Sequence, residues 1–169
     1  MKNLTRGFFV VAVLASRIVA AETATTAADW PLTEMGVGPI QIGMPYAAAR
    51  SAAGSAGTLV EKTRKSEGEI IHVSELLDGR KSLLIMEASD DKLWRLTVES
   101  PQFKTAHNIA VGTSLKDLQK VTPHLTIAHA EGNGSCAITP DMGLSFCFTQ
   151  TAPKPTDTIA RILVLGSGE

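Results

Sequence analysis

The sequence predicts an α+β fold made of two similar halves, each a short helix followed by three strands of mainly antiparallel sheet. Both helices are expected on one face of that sheet. Three observations carry this. Gly38-Pro39-Ile40-Gln41-Ile42-Gly43-Met44-Pro45-Tyr46 is echoed 69 residues later by His107-Asn108-Ile109-Ala110-Val111-Gly112-Thr113-Ser114-Leu115. Leu93-Trp94-Arg95-Leu96-Thr97-Val98 has its counterpart in Ile159-Ala160-Arg161-Ile162-Leu163-Val164, at an offset of 66. Between these echoes lie runs that alternate apolar and polar residues and are joined by turn residues, the pattern of half-buried antiparallel strands. A unit of one helix and three strands cannot cover its own sheet, so two units must join edge to edge or stack.

In the first half, Pro45 suits the first helical position, where its missing N–H costs nothing. Tyr46, Ala49 and Ala53 mark one face of the helix, and Gly54 stops it. Residues 55–68 read as a loop with a solvated charge run. Strands follow at 70–77, 81–88 and 93–99, turned by Asp78-Gly79-Arg80 and by Asp90-Asp91. In the third of these strands Trp94, Leu96 and Val98 share one parity and are assigned to the core. Arg95, Thr97 and Glu99 take the wet face.

The second half repeats the order. Ser114 is placed to cap a helix whose Leu115, Leu118 and Val121 form an apolar stripe, and Thr122-Pro123 ends it. An alternating segment at 125–128 follows, then a hairpin around Pro140-Asp141-Met142-Gly143, and Ile159–Leu165 closes the half. A turn at 140–143 pairs Thr139 with Leu144 and, counting outward, Cys136 with Cys147. Two cysteines opposed across a hairpin in an exported chain read as a structural disulfide.

Export is read from the start of the chain. Lys2 and Arg6 precede the apolar run Phe8–Ala15, and Val19-Ala20-Ala21 offers small residues to signal peptidase. The run is too short to span a bilayer, so a retained membrane helix is the weaker reading. The domain reading is therefore a signal peptide over 1–21, a flexible leader over 22–33, and one domain over 34–169 with halves 34–99 and 100–169. The first 21 residues carry Lys2, Arg6 and Arg17 and no acid, so 13 basic and 17 acidic residues remain, a net of −4. That balance speaks against nucleic acid or an anionic membrane surface as partner. No cysteine lies near the cleavage region, so a periplasmic protein without a lipid anchor is expected.

Reactive groups do not converge in the sequence. Gly36, Gly38 and Gly43 lack the preceding strand and the following Lys-Ser/Thr of a phosphate loop. His72, His107, His124 and His129 lack metal-ligand spacing, and Ser135 lacks a nucleophile elbow. No catalytic residue, metal or cofactor is assigned. Arg95 and Arg161, of wet parity in matched strands, are the candidate contacts for a partner.

The second half resembles a family of small bacterial envelope proteins whose known example is a sigma-E-regulated lipoprotein of unknown function. The shared features are Thr105-x-x-Asn108-Ile109-x-Val111-Gly112-Thr113-x-Leu115-x-Asp117-Leu118, Gly134-x-Cys136, a second cysteine, and Asp157-Thr158-Ile159 before an Ile/Val-rich strand. Gly36-Val37-Gly38 fits the start of its domain. This chain lacks the lipid-anchoring cysteine. The resemblance implies an envelope role and carries over no catalytic residue. The expected function is thus a non-enzymatic periplasmic protein that binds a protein or another envelope component. An inhibitor or immunity protein for a secreted toxin or lytic enzyme is a sharper form of that reading. A cell-wall hydrolase with residues drawn from distant segments is the enzymatic alternative.

Overall fold

A computed structural model describes residues 30–66, 69–130 and 134–166. The signal peptide read at 1–21 and most of the leader lie outside the described residues. The chain is α+β, and its described residues form two short helices and sheets whose strands all pair antiparallel. A three-stranded ribbon comes first, from β1 (Leu32–Thr33), β2 (Gly36–Val37) and β3 (Ile40–Gln41). Helix α1 (Tyr46–Gly54) leads into β4 (Thr58–Ser66), β5 (Glu69–Asp78), β6 (Lys81–Ser89) and β7 (Lys92–Val98). Helix α2 (Leu115–Val121) leads into β8 (Thr126–His129), β9 (Ser135–Thr139), β10 (Leu144–Phe148) and β11 (Arg161–Leu165).

These eight long strands form one sheet in the order β4-β5-β6-β7-β11-β10-β9-β8. Each half is a meander, and the halves meet where the last strand of one pairs with the last strand of the other. At that seam Ile162 faces Val98 and Val164 faces Leu96. Each helix is therefore followed by four strands rather than three. The addition in the first half is β4, which occupies most of the segment read as a loop. Among its described side chains Leu59 packs against the core, while Glu61, Lys62, Thr63 and Lys65 are exposed. An edge strand needs only its neighbour's hydrogen bonds, so β4 carries almost no apolar signal.

The core lies on the helix side of the sheet. Leu84, Met86, Leu96, Val98, Phe146, Ile162 and Val164 point there and meet Ala49 and Ala53 of α1 and Leu115 and Leu118 of α2. Fully burying one such side chain stabilises by roughly 1.5–3 kcal/mol. Tyr46 also turns inward, its hydroxyl 2.5 Å from the Ser74 hydroxyl and its ring 5.7 Å from that of His72. Pro45 sits one residue earlier than expected, at the N-cap of α1.

The leader does not extend to residue 33. Trp30 and Leu32 are buried, the Trp30 ring stacks on Phe103 at 6.4 Å, and the Leu32 N–H donates to the Lys104 carbonyl at 2.9 Å. A stretch rich in Ala and Thr conceals this, because two anchoring side chains without periodicity give no pattern to read.

Backbone bonds around the two helix starts correspond. Gly43 N–H donates to Leu93 O at 2.6 Å and Gly112 N–H to Ile159 O at 2.8 Å. Leu93 N–H donates to Met44 O and Ile159 N–H to Thr113 O, at 3.0 and 2.9 Å. Tyr46 N–H reaches Asp91 O and Leu115 N–H reaches Asp157 O, at 2.8 and 2.9 Å. All three pairs keep the offsets of 69 and 66 seen in the sequence.

Candidate functional site

The sheet face away from the helices has no layer of described residues over it like the one the helices form. One row of residues crosses all eight strands on that face. In register it runs Val60, Glu75, Ile85, Thr97, Leu163, Ser145, Ile138, Thr126. Ile85, Thr97, Leu163 and Ser145 are half-buried, while Val60 and Ile138 are exposed. Apolar and polar side chains thus alternate across an open surface, the polar ones being Glu75, Thr97, Ser145 and Thr126. Open antiparallel sheets ordinarily carry polar residues on such a face.

A bulge in β7 sharpens this surface at one end. Ala88 pairs with Leu93 and Glu87 with Arg95, which leaves Trp94 as an extra residue. An inserted residue breaks the alternation of side chains, because parity is counted along an unbroken strand. Leu93 takes the core position at 1% exposure, and Trp94 is half-buried outside it. The expectation that Trp94 belongs to the core is therefore corrected. The Arg95 guanidinium lies 4.7 Å from the Trp94 ring centroid and its Nε donates to a Glu87 carboxylate oxygen. The Glu87 and Arg95 side chains are only 7% and 20% exposed. An acid that far out of water requires such pairing.

The second half has the same break in parity: Ile159 and Ile162 are buried, while Ala160 and Arg161 between them are exposed. Arg161 pairs with Cys147, as Arg95 pairs with Glu87. Where the first half holds an ion pair, the second holds a disulfide: Cys147 is bonded to Cys136 directly across the hairpin, with Cα atoms 3.9 Å apart. Of the two candidate arginines, Arg161 is exposed, whereas Arg95 is committed to Glu87 and Trp94. They lie on the same face in adjacent strands.

Trp94 also lines an open cleft of about 930 Å³, with Leu93, Ile42, Met35, Leu165 and Gly166. Glu34 and Lys92 bring opposite charges to the same cleft. Met35 and Leu165 are about half exposed, so the lining is apolar and open to water. The Trp94 indole Nε1 is buried and has no hydrogen-bond acceptor among the described residues. The cleft draws on the β1–β3 ribbon, the start of β7 and the end of β11. Sequence reasoning missed it because the side chains come from three distant segments and one of them is displaced by the bulge.

Among the described residues, no three or more His, Cys, Asp or Glu lie grouped so as to hold a metal ion. His107, His124 and His129 are exposed, and His72 packs on Tyr46. No helix among the described residues is long and apolar enough to cross a membrane. The Asp117 carboxyl at the start of α2 lies below its ordinary range. Hydrogen bonds from Lys120 first, then from Ser114, hold it low.

No family model matches the chain, and no curated protein matches it by sequence. Among solved structures it is similar to the crystal structure of the uncharacterized protein YfeY from Escherichia coli. The two superpose with a TM-score of 0.65 at 17% identity, over 80% of this chain and 99% of that one. At that identity the likeness establishes the fold.

Proposed function

We propose that this is an exported envelope protein that works by binding, without catalysis of its own. It receives a protein or another envelope component on the uncovered sheet face and the adjoining cleft. The observation that carries the reading is the set of large apolar side chains left partly open to water, Ile85 and Leu163 on the uncovered sheet face and Trp94 and Leu165 at the adjoining cleft. A side chain as large as tryptophan, turned out of the core beside an arginine, is typical of binding hot spots. Export is supported by the apolar start of the sequence and by the Cys136–Cys147 bond, which persists in oxidising compartments. The resemblance to sigma-E-regulated envelope proteins points the same way. The paired bonds at offsets 69 and 66 support descent of the two halves from one duplicated unit.

Photo-crosslinking residues placed at Ile85 and Leu165 of the exported protein test this reading. Both are expected to capture the same envelope component, and a probe at Lys120 across the sheet is expected to miss it. Trp94→Ala should reduce the captured yield several-fold while the fold persists. Equal capture from Lys120, or a yield indifferent to Trp94→Ala, sinks the reading. Fractionation is expected to find the processed chain in the periplasm.

A further inference from the structure

The two edges of the eight-stranded sheet differ in chemistry. β8 is four residues long and carries no Asp, Glu, Lys or Arg. β4 is nine residues long, and within it Lys62-Thr63-Arg64-Lys65 sets three basic residues in four positions. This cluster belongs to a chain whose formal net charge is −1. The acid of the strand, Glu61, is held by Arg50 of α1, and the Lys62 ammonium is 3.8 Å from Glu75 yet 68% exposed. Lys65 is exposed as well.

β4 bonds β5 in unbroken register from Thr58 to Ser66, with Thr58 facing Leu77 and Lys62 facing Val73. Nothing described pairs with its other side, so a row of backbone donors and acceptors about 30 Å long faces outward. Such an edge can accept an added strand. Its charge decides which. A second copy added antiparallel over the whole strand would set Lys62 against Lys62, and like charges directly opposite destabilise a ladder. An acidic strand meets the opposite sign at Lys62 and Lys65, on the two faces of the same edge.

We propose that β4 is a docking edge for an extended acidic segment of another protein, which adds as a ninth strand. This surface lies at the far end of the sheet from β8. It goes beyond the sheet-face reading, and either can fail while the other stands.

The test uses the purified protein and a labelled synthetic peptide of Glu-Thr-Val repeats, whose glutamates fall on both faces at the three-residue spacing of Lys62 and Lys65, with a Lys-Thr-Val peptide as control. The acidic peptide is expected to bind, to slow amide exchange along β4, and to weaken as salt is raised. Reversing charge with Lys62→Glu and Lys65→Glu should weaken it about tenfold and let the basic peptide bind instead. These exposed positions leave the core untouched, so the thermal midpoint should hold. Failure of the acidic peptide to bind overturns the proposal. So does binding indifferent to the double reversal, or protection that maps to the Trp94 cleft or to β8.

Discussion

Gly43 and Gly112 stand at the entry to each helix with φ of +82° and +90°, and a Cβ added to either would touch nothing within 4 Å. Their requirement is therefore one of backbone conformation alone. Alanine at either position should cost about 1–2 kcal/mol, read from urea unfolding midpoints. A loss no greater than that of an alanine swap on the outside of α1 would count against it. Trp94 calls for a different measurement. Trp30 is 5% exposed and Trp94 half-buried at an open cleft. In Trp30→Phe the remaining fluorescence should be readily quenched by acrylamide, and in Trp94→Phe it should be protected. Equal quenching in the two variants contradicts the bulge. The glycine joints are legible in the sequence because a glycine between a strand pattern and a helix pattern has few other uses. The outward turn of Trp94 is not, because an alternating run reads the same with or without an inserted residue.

At the scale of elements, α2 is held by its first turn. The Asp117 N–H donates to the Ser114 Oγ at 3.1 Å, and the Ser114 hydroxyl and the Lys120 ammonium donate to the Asp117 carboxylate at 2.8 and 2.6 Å. These contacts favour the charged carboxylate, so Asp117 titrates below the usual aspartate value. A depressed folded value adds stability above the unfolded one, near pH 4, and that stability is lost as pH falls through the folded value. Lys120→Met should raise the Asp117 titration most and Ser114→Ala next, as followed by carboxyl carbon NMR. A titration unmoved in both variants contradicts the assignment. Ser114→Ala also removes the cap, at a cost of about 1 kcal/mol.

The hairpin β9–β10 should lose about 3 kcal/mol in the Cys136→Ser, Cys147→Ser double variant, seen as a lower unfolding midpoint matched by reduction of the native protein. An unchanged midpoint under reductant would mean that the bond closes no loop of consequence. Its register was readable from Pro140-Asp141-Met142-Gly143, since a tight turn dictates the pairing on both sides. β4 was unreadable for the opposite reason. Glu61, Lys62, Thr63 and Lys65 are exposed on both of its faces, so its instruction to be a strand comes from pairing with β5. The two-residue strands β1, β2 and β3 are too short for any period to register.

Across the whole molecule, the seam between β7 and β11 unites the halves. Val98 lies between Leu84 and Ile162, and Leu96 between Met86 and Val164, so each inner strand completes its core by way of the other half. Unfolding should accordingly be one transition, with the slowest amide exchange in β6, β7, β11 and β10. Two resolved transitions, or a fragment covering 30–99 that folds alone, would show the halves to be independent. The strand-to-helix joints at Gly43 and Gly112, and the segments at 93–98 and 159–164 that bond them, were visible as echoes. The choice to join by last strands rather than by stacking was not, because both arrangements bury the same residues.

That seam imposes an order of events on synthesis. β7 is finished at Val98, and the strand that must flank it begins only at Arg161. At ribosomal speeds of roughly 5–20 residues per second, the interval is on the order of 3–13 seconds. Throughout it Leu96 and Val98 lack the neighbours that complete their core, so the first half waits unfolded for the second. The eight-stranded sheet is therefore completed only when the strand ending at Leu165 has joined it.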